Sequence, residues 1–292
     1  MPSVNGSHES VTVAKGTELN FMPPPREAAA LADLAEAHAF ADFFDAAPQT
    51  LRSELGVRVE RIAEATVLLA PGIASPILNR AIGLGMFEEA GSDDVKRVTN
   101  CLRQAGGPLW MLQFSEFSRI LPRALEENGL VGRSRWAKML RGREAVREPA
   151  SDLRVEPATS AQLDEVSRVF ADAFGMPPYM ADWLRELHDR TGWKIYAVTE
   201  GSTVVGCGCL YLSGDAAWLG MGSVAASHQR RGGQGILLAR RIADAIAAGA
   251  QYIFTETGEP AESESNPSLN NMKRAGFVQV ASRLNYTLAA PS

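Results

Sequence analysis

Ser223-Val-Ala-Ala-Ser-His-Gln-Arg-Arg-Gly-Gly-Gln-Gly235 is the stretch on which the fold turns. It follows an apolar, strand-like segment over 216–224. It runs into a strong helical pattern, Ile236-Leu-Leu-Ala-Arg-Arg-Ile-Ala-Asp-Ala-Ile246. A strand, a short basic glycine-rich turn and a helix together make an anion site. Glycines let backbone N–H groups converge without Cβ interference, and the helix N-terminus adds partial positive charge. Arg230 and Arg231 add two full charges. The expected guest is a diphosphate or an anionic cofactor.

These residues resemble the GCN5-related N-acetyltransferases. The family signature is Gln/Arg-x-x-Gly-x-Gly/Ala after the fourth strand, where backbone amides hold the pyrophosphate of acetyl-CoA. Two registers fit. Gln229-Arg230-Arg231-Gly232-Gly233-Gln234 matches except at Gln234, and Arg230-Arg231-Gly232-Gly233-Gln234-Gly235 matches throughout. The flanking Leu-Leu-Ala-Arg-Arg-Ile run favours the first. The resemblance implies an α/β (α+β) fold with a mixed, largely antiparallel sheet flanked by helices, and acetyl-CoA as co-substrate.

With 292 residues, the chain has room for two domains. Hydrophobic content of 46% and charged content of 22% are those of a globular protein. A net charge of −5 disfavours a general nucleic-acid surface and tolerates an amine-bearing substrate. Cys101, Cys207 and Cys209 are an odd, sparse set, which fits a reducing cytoplasm better than a disulfide framework. Cys207 and Cys209 share one face of a predicted strand and read as small buried side chains. No long apolar run or signal-peptide pattern occurs, so a cytoplasmic protein is expected, away from membranes, as a monomer or homodimer.

Residues 1–24 read as a flexible tail. Residues 26–46 carry an Ala/Leu helical pattern in which Leu31, Leu34, Ala35, His38, Ala39 and Phe43 define the expected buried face. A helix over 48–55 and strands over 57–63, 65–69 and 78–84 follow. Then come a helix over 92–104, a strand over 108–114, a helix over 115–127 and a strand over 135–140. This order resembles the second half of an acetyltransferase domain. Its phosphate turn, however, would be Gly83-Leu-Gly-Met-Phe-Glu-Glu-Ala-Gly-Ser-Asp-Asp94, with four carboxylates and no base. Such a turn repels a diphosphate. Residues 25–140 are therefore expected to be a degenerate domain without a cofactor site, or alternatively an unrelated α/β cap. Residues 141–150 read as a linker. Residues 151–292 repeat the full family order and form the expected catalytic domain.

A second family marker is Asn266-Pro-Ser-Leu-Asn-Asn-Met-Lys-Arg-Ala-Gly-Phe277. Asn266 reads equally as a helix cap or a cofactor contact. The family's acidic Tyr is replaced by Met272, and Tyr179, Tyr211 and Tyr286 remain as unranked alternatives. An alkyl amine is mostly protonated at neutral pH, so a base is the harder requirement. Glu256, at the end of the strand that the family splays from 216–224, is the candidate. By the same resemblance, backbone N–H groups near Gly222 and Val224 would hold the pantetheine arm and polarise the thioester. His228 suits phosphate or solvent contact. Trp183, Trp193 and Tyr179 are candidates for the acceptor pocket or the aromatic core.

Gly220-Met-Gly222-Ser-Val-Ala225 matches a dinucleotide fingerprint, but no helix opens inside it, which argues against a nicotinamide or flavin enzyme. The expected function is acetyl transfer from acetyl-CoA to a primary amine of a small molecule or peptide, an amino-sugar or aminoglycoside-type compound included. The other reading is an acyl-CoA-binding regulatory module without turnover.

Overall fold

A computed structural model describes residues 22–261 and 264–289. The tail expected over 1–24 lies outside them except for residues 22–24. The first half contains α1 (Pro25–Asp45), α2 (Gln49–Leu55), β1 (Arg58–Ile62), β2 (Ala65–Leu69), β3 (Arg80–Ile82), α3 (Ser92–Gln104), β4 (Met111–Ser115), α4 (Pro122–Glu127) and β5 (Leu130–Arg141). The second contains β6 (Arg154–Pro157), α5 (Leu163–Ala173), α6 (Tyr179–Arg185), β7 (Trp193–Glu200), β8 (Thr203–Ser213), β9 (Ala216–Val224), α7 (Gly233–Ala247), β10 (Tyr252–Gly258), α8 (Pro267–Arg274) and β11 (Val278–Leu288).

The mixed α/β architecture is the expected one, and the halves run through the same order. Three strands lead to a helical crossover (α3 or α7), a parallel strand, a helix and a last strand. What the sequence did not announce is that they share a single sheet of 11 strands, ordered β1-β2-β3-β4-β11-β5-β10-β9-β8-β7-β6. Each half gives its last strand to the other. β11 lies between β4 and β5, and β5 lies between β11 and β10.

Across this seam lies α1, packed against β1, β2, β5, β8, β9, β10 and β11. Pro25 opens it without losing a needed N–H, and its many alanines favour helix while letting it approach the sheet closely. Its buried face differs from the expected one. Leu34 and His38 are exposed, whereas Asp33 and Glu36 are buried. The helix expected over 115–127 shrinks to α4. Pro122 can start a helix but keeps Leu121 extended, and Arg119 is held by an N–H bond to Gly85 O (2.6 Å).

Trp183 is fully buried and stacked on Phe43, with ring centroids 4.5 Å apart, and Trp193 donates to Asp42 Oδ1 at 2.8 Å. Both belong to the core around α1. A separate core lies under α7 and α8 on the opposite side of β7–β10. No helix among the described residues is long and apolar enough to cross a membrane.

Candidate active site

The splayed slot is present. β9 and β10 pair in parallel only through Tyr252–Ala216, Ile253–Ala217 and Phe254–Trp218. Beyond these, β10 stays paired to β5 as far as Gly258, while β9 bends away. The bend has a local cause. The β8–β9 register shifts between Cys207 and Cys209, and Met221 adopts φ 54°. Such a bulge re-aims a strand. Gly220 permits it, since a Cβ there would stand 1.8 Å from the Trp218 ring. Gly220→Ala is accordingly expected to destabilise the fold by about 1–3 kcal/mol through overpacking, as read by urea denaturation.

At the end of β9 the phosphate turn feeds α7. Gly232 takes φ 80° as the N-terminal cap, and a Cβ there would lie 2.7 Å from Ala150 O. Gly233 and Gly235 admit Leu153 and Pro149, whose side chains a Cβ would meet at 2.9 and 2.8 Å. These glycines therefore also seat the 141–150 linker. No acceptor among the described residues takes the amide N–H groups of Arg230, Arg231, Gly232, Gly233, Gln234 or Gly235, and no side chain caps the helix. Consecutive orphan donors at a positive helix end form an anion nest.

The two arginines differ. Arg231 is paired with Asp152 and with Glu200 (2.5 Å), and those bonds push its guanidinium up. Arg230 is exposed, has φ 62° and pairs with no carboxylate among the described residues. Gln229 is exposed at the start of the turn. His228 sits on Glu200 (3.0 Å), outside the slot. Gln234, the departure from the family signature, bridges α7 to α8: it donates to Ser268 Oγ (3.0 Å) and accepts from Asn271 (2.6 Å). Asn266 caps α8. Its Oδ1 accepts from the amides of Ser268 and Leu269, and its Nδ2 donates to Gly258 O and Thr257 Oγ1. Its hydrogen-bonding capacity is thus spent inside the chain.

A cavity of about 220 Å³ runs through the splay. One side is walled by Phe40 and Phe43 of α1, Ile77 and Leu78 of the first half, and Phe170 and Met180 of the second. The other is formed by Gln234, Leu238, Arg241, Ser268 and Met272. Gly222 and Glu256 line the middle, and Val224 closes β9 opposite Gly206. Tyr179, Tyr211 and Tyr286 do not line the cavity.

Glu256 is held firmly. It accepts from Trp218 Nε1 (3.0 Å) and Lys138 Nζ (3.2 Å), with its side chain 7% exposed. Burial, reinforced by Glu36, raises its pKa despite Lys138. Behind it, a polar row crosses the sheet beneath α1. Lys138 bonds Glu36 (2.6 Å), which also pairs with Arg80 (2.8 Å) and Arg283 (2.5 Å); Arg283 reaches Asp33 (3.2 Å). Arg80 continues to Gln113 (2.7 Å) and Gln113 to Asn285 (2.7 Å). Sequence reading missed this row. Its signal was Arg80 at the head of β3, Lys138 inside the apolar run 136–140 of β5 and Arg283 as the single charge of β11, with Asp33 and Glu36 three apart on an alanine-rich helix.

The corresponding turn of the first half is filled from within. Glu64 accepts from the amides of Phe87 (3.1 Å) and Glu88 (3.4 Å). An internal carboxylate thus occupies part of the loop where the second half presents orphan donors.

The strand–helix order, run through twice along one chain, has known counterparts. Over 89% of its length this chain superposes on 96% of a GCN5-related N-acetyltransferase from Kribbella flavida, with a TM-score of 0.60 at 14% identity. The fold is that of the GCN5-related N-acetyltransferases. A further member, from Sphaerobacter thermophilus, matches at TM-score 0.58 and 15% identity over 92% of this chain and 95% of that one. A tandem GCN5-related protein from the clavulanic acid biosynthesis pathway matches at 0.52 and 11%, over 78% and 79%. No protein-family model matches the sequence, and no curated protein matches it. The acetyltransferase fold is thus recognisable in the backbone at identities where alignment alone is uninformative.

Proposed function

We propose that the second half is an acyl-CoA-dependent N-acyltransferase, with acetyl-CoA as its simplest donor and a primary amine as acceptor. The observation that carries this reading is the run of orphan amides from Arg230 to Gly235, whose Gln234 lines the same cavity as Glu256, a carboxylate of raised pKa. The nest and Arg230 would hold the diphosphate, and the unpaired edge of β9 near Gly222 and Val224 the pantetheine arm. Asn266 acts through α8, as its cap. Acetyl-CoA supplies a thioester carbonyl at the splay. The acceptor nitrogen forms the new C–N bond as the C–S bond breaks. Glu256 accepts the proton shed by the amine, and the sulfur leaves as a thiolate that draws its proton from solvent. A leaving thiol of pKa near ~8.5, by analogy with cysteine, does not require the tyrosine that Met272 replaces.

The first half, in this reading, holds no acyl-CoA, because Glu64 and the acidic turn oppose a diphosphate. It serves as a wall: Ile77 and Leu78 help to enclose the acceptor side, while α1 contributes Phe40 and Phe43. These apolar walls favour an amine on a hydrophobic body over a polycationic amino-sugar, which would need more carboxylates than Glu256.

Charge reversal separates the two arginines. Arg230→Glu is expected to abolish the rise in melting temperature on adding coenzyme A. Arg231→Glu is expected to lower the melting temperature of the free protein, since it faces Asp152 and Glu200. Scanning fluorimetry with and without coenzyme A reads both, and an undiminished ligand shift in Arg230→Glu would place the diphosphate elsewhere. Thiol release from acetyl-CoA across hydrophobic amines tests turnover. Tight binding without release from any amine would instead support the regulatory module.

A further inference from the structure

Arg241 is a buried cation that the reaction above does not use. It projects from α7 toward the β9 bulge and is 3% exposed. Its Nε donates to Leu237 O (3.2 Å), and its Nη1 donates to Cys209 O (3.1 Å) and Gly220 O (3.0 Å), carbonyls beside the register shift. Nη2 donates to no group among the described residues, and it is not among the sealed, unpartnered atoms. Its open side is the cavity that Arg241 lines.

The guanidinium has a cradle cut for it. A Cβ on Gly208 or Gly222 would come within 3.0 Å of Nη1 or Nη2 respectively. What the cradle lacks is an anion. Neighbouring Arg240 pairs with Glu156 and Asp244. Arg241 forms no ion pair among the described residues, and the groups acting on its charge are the thiols Cys209 and Cys207 and the phenol Tyr196. Burial draws it down to about 10, so it stays charged at neutral pH. A buried, uncompensated charge is costly unless a ligand completes it.

The same wall is rich in donors. Ser268 Oγ accepts from Gln234, and Thr257 Oγ1 accepts from Asn266, which leaves each hydroxyl hydrogen free to donate. Glu256 lies on the other face of the sheet, engaged with Trp218 and Lys138.

We propose that this slot selects acyl-CoA donors whose acyl group ends in a carboxylate, received by Arg241 Nη2 with the Ser268 and Thr257 hydroxyls. The assignment rests on the acyltransferase reading of the site. The transfer balances as before: the amine gains the carboxyacyl group in amide linkage, the C–S bond breaks and coenzyme A leaves as its thiol. The distal carboxylate is unchanged.

Matched donors test this on the intact protein. Malonyl- against propionyl-CoA, and succinyl- against butyryl-CoA, differ at the distal carboxylate. Calorimetry is expected to show the charged member of each pair bound roughly 10–100-fold tighter, the range of a charge-assisted hydrogen bond. Arg241→Gln, which keeps donors and removes the charge, is expected to erase that difference. Equal binding of matched pairs by the wild type overturns the proposal even if no Arg241 variant folds. So does a preference that survives Arg241→Gln, or a variant that weakens charged and neutral donors equally, which would put Nη2 on the pantetheine arm. Thiol release separates the two readings. Preferred binding without release on any amine keeps the donor assignment and removes the enzymatic one. Faster release from acetyl-CoA than from either charged donor keeps the enzyme and removes the assignment.

Discussion

Glu256→Gln is expected to lower kcat about 10²–10⁴-fold, the usual contribution of a positioned base. Glutamine keeps the volume and can still accept from Trp218 Nε1, so the fold is expected to survive. The substitution also exchanges a carboxylate for a neutral amide opposite Lys138. The wild-type pH profile should carry the same signature. The base works only when ionised, and burial holds its pKa above the ordinary carboxylate value. Activity is therefore expected to rise with pH along a limb displaced upward from the usual glutamate range, and that limb should vanish in Glu256→Gln. A variant with undiminished kcat and an unchanged profile would show that the proton goes elsewhere.

Glu36→Ala is expected to destabilise the protein by about 3–5 kcal/mol in urea, as breaking a buried ion network does. Glu36 is fully buried on α1 and meets Lys138, Arg283 and Arg80. Burial opposes its ionisation, but those cations together hold its carboxyl well below the usual range. A depressed folded pKa gives stability that is present above the unfolded value and lost as pH falls through the folded one. The wild type should thus weaken on acidification below the ordinary glutamate range, and Glu36→Ala should weaken less steeply there. The substitution also reaches the active site. Glu36 is a like charge that raises the pKa of Glu256, so its removal should shift the activity limb to lower pH. A limb that stays in place would uncouple the row beneath α1 from the chemistry.

The exchange of β5 and β11 explains why both effects converge. Lys138 comes from the first half, yet it stands beside Glu256 of the second because β5 pairs with β10. The proposed base is therefore positioned by a strand from the other half. The first half contributes electrostatics and cavity wall.

Much of this was legible in the residues alone. Local rules determine strand, turn and helix from 216 to 247, since glycines, bases and apolar spacing act within a few residues of one another. The same holds for the acidic turn of the first half, whereas Asn266 stood open between a cap and a cofactor contact until the structure showed the cap. Pattern reading placed Glu256 at a splayed strand end, and the splay is there. The tertiary structure alone decided that two halves share one sheet, because strand exchange depends on which edges meet and not on any strand's own sequence. It decided that Asp33 and Glu36 face inward in place of Leu34 and His38, because their partners on β3, β5 and β11 lie 44 to 250 residues away, from Glu36–Arg80 to Asp33–Arg283. And it separated Arg230 from Arg231, identical neighbours in the chain, because Asp152 and Glu200 reach only one of them. Charges pair through space, and space is what a linear pattern does not contain.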